Sequence, residues 1–193
     1  MTAPTPTPGR AATRFSNDVR YRDDAHPNQR QLTPPYVLEP VRLALGGVIH
    51  LDPCTEPDNP TGAIEFYTAE GDGAALPWLA PTVFVNPPYS KARERWVERC
   101  IEAAANGSQV ALLIPAATDT RIFQRAMDTA TAVVFIKGRV KFGVLRENRR
   151  QEAASHPSAL IGWNTYLSDC DHLGTLIRIR PITAPSGDGT VTQ

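Results

Sequence analysis

The sequence, 193 residues long, has no apolar run approaching the roughly 20 residues that cross a bilayer. Its first residues contain no apolar signal-peptide segment. A membrane partner is therefore not expected, and the expected setting is the cytoplasm. Cysteine is scarce: Cys54, Cys100 and Cys170 are an odd number at unrelated spacings. Neither a disulfide framework nor a zinc pattern can be read from them. His26, His50, His156 and His172 show no ligand spacing either, so no metal is expected. An excess of one charge is also missing, with 20 basic against 20 acidic residues. That balance excludes an acidic tail or a cationic coat as an overall property, while leaving room for a local basic patch.

Proline is plentiful, at 18 residues. The opening "MTAPTPTPGRAATR" is rich in Thr and Pro and lacks periodicity, so residues 1–30 are expected to form a disordered or loosely ordered arm. Residues 183–193, "TAPSGDGTVTQ", read as a flexible tail. Between them, residues 31–182 have the length of a single domain.

Within that span, apolar runs alternate with helical patterns. "TPPYVLEPVRLALGG" predicts a helix over residues 35–45 that Thr33 could cap and that stops at Gly46 and Gly47. Pro40 should interrupt its hydrogen-bond ladder. "KARERWVERCIEAAANG" and "TDTRIFQRAMDTA" carry apolar residues at helical spacing. "VIHLD", "TVFVN", "QVALLIP", "AVVFI", "SALIGW" and "TLIRI" read as strands. Strands alternating with helices predict an α/β fold: a mostly parallel sheet with helices on both faces. Such sheets hold ligands at the C-terminal ends of their strands. "LDPC" and "VNPPY" both fall at such ends.

"NPPY", Asn86 to Tyr89, resembles the catalytic motif of amino-methyltransferases that use S-adenosylmethionine. The wider series "LDPCTEPDN", "YTAEGDGAALPW", "VFVNPPYS", "VALLIPAATDTRIF", "FIKGRVKF" and "HPSALIGW" is similar, in order, to the phage and prophage DNA N6-adenine methyltransferases of the Dam type. The resemblance covers roughly residues 32–163. It implies a Rossmann-like methyltransferase fold, S-adenosylmethionine as cofactor and double-stranded DNA as partner.

The chemistry explains the residue types. The adenine N6 lone pair is delocalised into the ring, so the amine is a poor nucleophile. Acceptors on both its N–H groups favour a pyramidal nitrogen. The Asn86 side-chain oxygen is one candidate, and the Pro87 carbonyl, stiffened by Pro87 and Pro88, is the other. These dipoles also suit the positive charge that develops during transfer. Attack on a sulfonium methyl is a direct displacement, governed by proximity and alignment. Tyr89 offers a stacking face worth roughly 1–3 kcal/mol, which offsets much of the few kcal/mol spent in flipping a base. A plain rigid turn with a buried Tyr is the alternative reading of NPPY alone.

The resemblance also implies cofactor contacts. Asp52, with Pro53 and Cys54, would face the methionine ammonium, although an Asp-Pro turn explains the segment too. No Gly-rich loop follows Asp52, and Asn59 is the candidate that helps build the cofactor loop instead. Asp72, within "GDG", could accept from the cofactor adenine, with Glu65 a weaker ribose candidate. Thr33 and Pro34 match an early "TP" element that implies contact with the methionine end.

The segment "KGRVKFGVLRENRRQEAASHPS" is unusually long for a connection between strands. Lys137, Arg139, Lys141, Arg146, Arg149 and Arg150 make it a candidate phosphate-binding loop, the alternative being a solvated one. The chemistry alone leaves open a glutamine side chain or RNA as acceptor, and a non-catalytic module on the same fold.

Overall fold

The run "QVALLIP" becomes β5 (Gln109–Pro115), with every residue after Gln109 buried. The computed structural model describes residues 31–88, 93–144 and 151–182. The arm expected over residues 1–30 and the tail expected over residues 183–193 lie outside them. Before β5 come β1 (Gln31–Leu32), α1 (Pro35–Ala44), β2 (Leu51–Asp52), β3 (Glu65–Phe66), β4 (Thr82–Val85) and α2 (Arg93–Ala105). After it come α3 (Arg121–Met127), β6 (Ala132–Ile136), β7 (Lys141–Val144) and β8 (Gln151–Ala153). The chain closes with β9 (Ser158–Trp163), a 3-10 segment at Ser168–Leu173, and β10 (Gly174–Arg178).

Seven strands form one sheet in the order β10-β6-β9-β5-β4-β2-β3. The β2–β3, β2–β4 and β4–β5 pairings are parallel. The β5–β9, β6–β9 and β6–β10 pairings are antiparallel. The expected mostly parallel sheet is thus corrected to a mixed one. The reason lies in the connections. Helices α2 and α3 carry the chain back between β4, β5 and β6, as parallel order requires. Among the described residues no helix lies between β6 and β9, and the chain returns antiparallel into the space between β5 and β6. β10 then folds back along β6.

Alternation along the strands divides the core. Val83 and Val85 of β4, and Val110, Leu112 and Ile114 of β5, pack with Trp96, Val97, Cys100 and Phe123 of α2 and α3. Phe84, Ala111 and Leu113 pack on the other face with Val37, Leu38 and Val41 of α1. Helices therefore cover both faces, as expected. Pro40 does not break α1: it is buried, and the helix runs on to Ala44. Gly46 and Gly47, with φ of +81° and +89°, end it. Thr120 caps α3 by accepting the Phe123 N–H at 3.2 Å.

A second sheet was not expected. β1, β7 and β8 pair antiparallel in the order β1-β7-β8. The basic connection read as one long loop is corrected here, because β7 and β8 lie inside it. Its pairing partner β1 is more than a hundred residues away, with Leu32 opposite Gly143, and no local pattern announces such a contact.

Candidate active site

The register of β2 on β4 places Leu51 opposite Val83. The residues that follow, Asp52 to Cys54 and Phe84 to Asn86, therefore emerge side by side at the C-terminal ends of parallel strands. Open α/β sheets bind ligands at such ends.

Asp52 is 3% exposed. One carboxylate oxygen accepts the Thr61 hydroxyl at 2.8 Å, and the other accepts the Cys54 N–H at 3.1 Å. Burial pushes its pKa up from 3.8 to about 6, against the opposing hydrogen bonds from Thr61 and Cys54. Cys54 is half-buried. Burial raises its thiol well above the ordinary value, the Asp52 charge adds to this, and hydrogen bonding from the Asn86 backbone opposes it. Cys54 thus touches both motifs.

The loop after Cys54 is built without a Gly-rich turn. Asn59 adopts a left-handed φ of +47°. Its side chain donates to the Ala63 carbonyl at 2.9 Å and accepts the Ala63 N–H at 3.1 Å. This internal clamp presents Thr61 to Asp52. Sequence reasoning missed Thr61, since no spacing rule ties it to a carboxylate nine positions earlier. Glycine matters at Gly73, where a Cβ would lie 1.8 Å from the Pro53 carbonyl oxygen. The "GDG" turn therefore presses directly on the "LDPC" segment. Asp72 is exposed and pairs with Arg95 of α2 at 2.9 Å. Glu65, exposed as well, accepts the Tyr67 hydroxyl at 2.8 Å.

Asn86 is half-buried at the end of β4. Its amide nitrogen donates to the Thr33 hydroxyl at 3.0 Å. Pro87 is buried and Pro88 half-buried. Tyr89 lies outside the described residues. Thr33 makes no helix cap: Pro34 occupies the N-cap position of α1 without a side-chain hydrogen bond. The Pro34 carbonyl accepts the N–H groups of Val37 and Leu38 at 2.9 and 3.0 Å.

Lys137, Arg139 and Lys141 are exposed. The Lys141 N–H donates to the Tyr36 hydroxyl at 3.2 Å, tying β7 to α1. Arg146, Arg149 and Arg150 lie outside the described residues. Ser158, at the start of β9 and opposite Pro115, is 2% exposed and its hydroxyl has no hydrogen-bond partner. Among the described residues, no group of three or more His, Cys, Asp or Glu could hold a metal ion, and no helix is long and apolar enough to cross a membrane.

Thr33, Asp52, Cys54, Thr61 and Asn86 thus form one linked set at the sheet's C-terminal edge, while Asp72 stands apart, paired with Arg95 of α2. No curated protein matches the chain. A family model, DNA N-6-adenine-methyltransferase (Dam), matches it over residues 26–182, which takes in every strand and helix described above. The chain belongs to the Dam family of DNA N-6-adenine methyltransferases, enzymes that methylate adenine in DNA.

Proposed function

We propose that the enzyme transfers a methyl group from S-adenosylmethionine to the N6 amine of an adenine flipped out of double-stranded DNA. The observation that carries this reading is the side-by-side emergence of Asp52 and Asn86 from adjacent parallel strands. One offers a buried carboxylate, the other an amide at a proline corner. Within the mixed sheet, the run of parallel strands β3-β2-β4-β5 supports a Rossmann-like core.

Bound S-adenosylmethionine supplies an electrophilic methyl carried on a sulfonium. The chain's donor set suits that cofactor. Asp52 is held in place by Thr61 and Cys54, and its carboxylate can face an ammonium group in a charge-assisted hydrogen bond. Pro53, Cys54 and Asn59 shape the loop around it, and Thr33 and Pro34, just before α1, border it. Asp72 is engaged by Arg95, so a contact to the cofactor adenine would have to compete with that exposed ion pair.

Asn86 Oδ1 and the Pro87 carbonyl accept the two N6–H groups, leaving the nitrogen lone pair directed at the methyl group. Pro88 stiffens the corner, and Tyr89 stacks on the base. The Asn86 oxygen is preorganised, so little reorientation accompanies the growth of positive charge on N6. Lys137, Arg139 and Lys141, with Arg146, Arg149 and Arg150 from the same segment, bind phosphates.

A tritiated-methyl transfer assay on unmethylated plasmid DNA, followed by nucleoside digestion, tests the reaction. Label in N6-methyl-2'-deoxyadenosine is expected. Asn86→Ala should reduce transfer by at least about a hundredfold, the scale of losing one preorganised polar partner. Cofactor affinity should change by less than threefold or so. Wild-type turnover in that variant would end the assignment.

A further inference from the structure

We propose that Thr33 is a positioning residue: its hydroxyl takes the Asn86 amide N–H and so fixes which way round that amide stands at the reaction corner. The proposal rests on Asn86 acting as an acceptor for the adenine amine and deepens that reading.

A primary amide has two nearly isosteric ends of opposite hydrogen-bonding character. Rotating Asn86 by half a turn would replace its oxygen with an NH2 group and set donor against donor at N6. The corner therefore needs a device that selects one orientation. Thr33 contributes to it: in the 3.0 Å bond the hydroxyl accepts from Nδ2, which leaves Oδ1 at the other end of the planar amide.

Three features show that Thr33 is placed for this partner rather than for its own helix. Its hydroxyl does not cap α1, where Pro34 is the N-cap residue. The N–H groups of Val37 and Leu38, in its first turn, go to the Pro34 carbonyl instead. The backbone on either side is restrained: Leu32 pairs with Gly143 in the small sheet, and Pro34 and Pro35 fix their own φ. A hydroxyl anchored by a strand on one side and two prolines on the other loses little further entropy in holding the amide. It also reaches across 53 residues of sequence, so it joins the start of the domain to the catalytic corner.

The assignment differs from a direct cofactor contact for Thr33, and kinetics separate the two. Thr33→Val keeps the shape and removes the hydroxyl, whereas Thr33→Ser keeps the hydroxyl. Single-turnover methyl transfer, cofactor affinity by calorimetry and thermal melting would be measured for both. A ten- to hundredfold drop in transfer rate is expected in Thr33→Val, the scale of a misplaced catalytic group. Cofactor Kd should stay within about twofold, and Thr33→Ser should restore the rate to within about threefold. Should Thr33→Val melt early, Thr33→Ala is judged by the same two readouts. An unchanged rate, a loss confined to cofactor affinity, or a failure of serine to restore the rate would each overturn the proposal. None of these would touch the role of Asn86, which falls only if Asn86→Ala remains active.

Discussion

Asp52 shows how a single side chain ties stability to the site. It is almost fully buried, and burial raises its pKa from 3.8 to about 6. A carboxyl with a folded-state pKa above its unfolded value favours the folded protein most when it is protonated. The contribution is therefore complete below about pH 4 and is lost as pH rises to about 6, a difference of about 3 kcal/mol. Asp52→Asn should flatten that decline, since the amide oxygen can still accept the Cys54 N–H and the Thr61 hydroxyl can accept from the new NH2. Urea denaturation of both proteins at several pH values checks this, and parallel curves would show that the burial is not felt. The same residue keeps a carboxylate beside the proposed ammonium site at neutral pH, so part of the folding free energy is given up where chemistry requires charge.

Among the elements, the small β1-β7-β8 sheet has the clearest functional consequence. It converts part of a basic connection into paired strands and leaves Lys137, Arg139 and Lys141 exposed beside it. The Tyr36–Lys141 hydrogen bond holds β7 against α1, whose first residues adjoin Thr33. DNA held by these cations would sit close to the proposed catalytic corner. Replacing all three with alanine should weaken DNA binding and lower the slope of log affinity against log salt by up to about 0.9 for each phosphate that is no longer neutralised. Filter binding over a range of salt concentrations measures that slope. Cofactor affinity should be unaffected, and an equal fall in both would argue for damaged folding instead. The two-sided helix packing has a different role: it fixes β4 between β2 and β5, and so sets the height at which Asn86 leaves the sheet.

For the whole molecule, a net charge of zero means that DNA attraction must come from placement rather than from total charge. Cofactor binding should be visible as global stabilisation, because a ligand that binds only the folded state shifts the unfolding equilibrium. At a concentration a hundred times its Kd, S-adenosylmethionine should add about 2.7 kcal/mol. For a chain of this size that corresponds to a rise in Tm of about 5–11 °C. Differential scanning fluorimetry with S-adenosylmethionine, and with ATP as a control for adenine alone, would read it. A rise no larger than that given by ATP would count against the cofactor assignment.

Local chemistry was legible directly in the sequence. "QVALLIP" and "SALIGW" read as covered strands from their short, continuous apolar runs, the spacing of Trp96, Val97 and Cys100 specifies a helix face, and two adjacent prolines must end β4. The ordered motifs also carried the family resemblance. Long-range pairing was not legible. The antiparallel return of β9 between β5 and β6, the small sheet joining β1 to β7, and the hydrogen bonds Thr61–Asp52 and Thr33–Asn86 depend on which strands become neighbours and in what register. A hydroxyl has no sequence preference for an amide 53 positions away. Only the assembled sheet, with helices packed on both sides, brings such groups within hydrogen-bonding reach, because burial favours an arrangement that satisfies most of the polar groups it encloses.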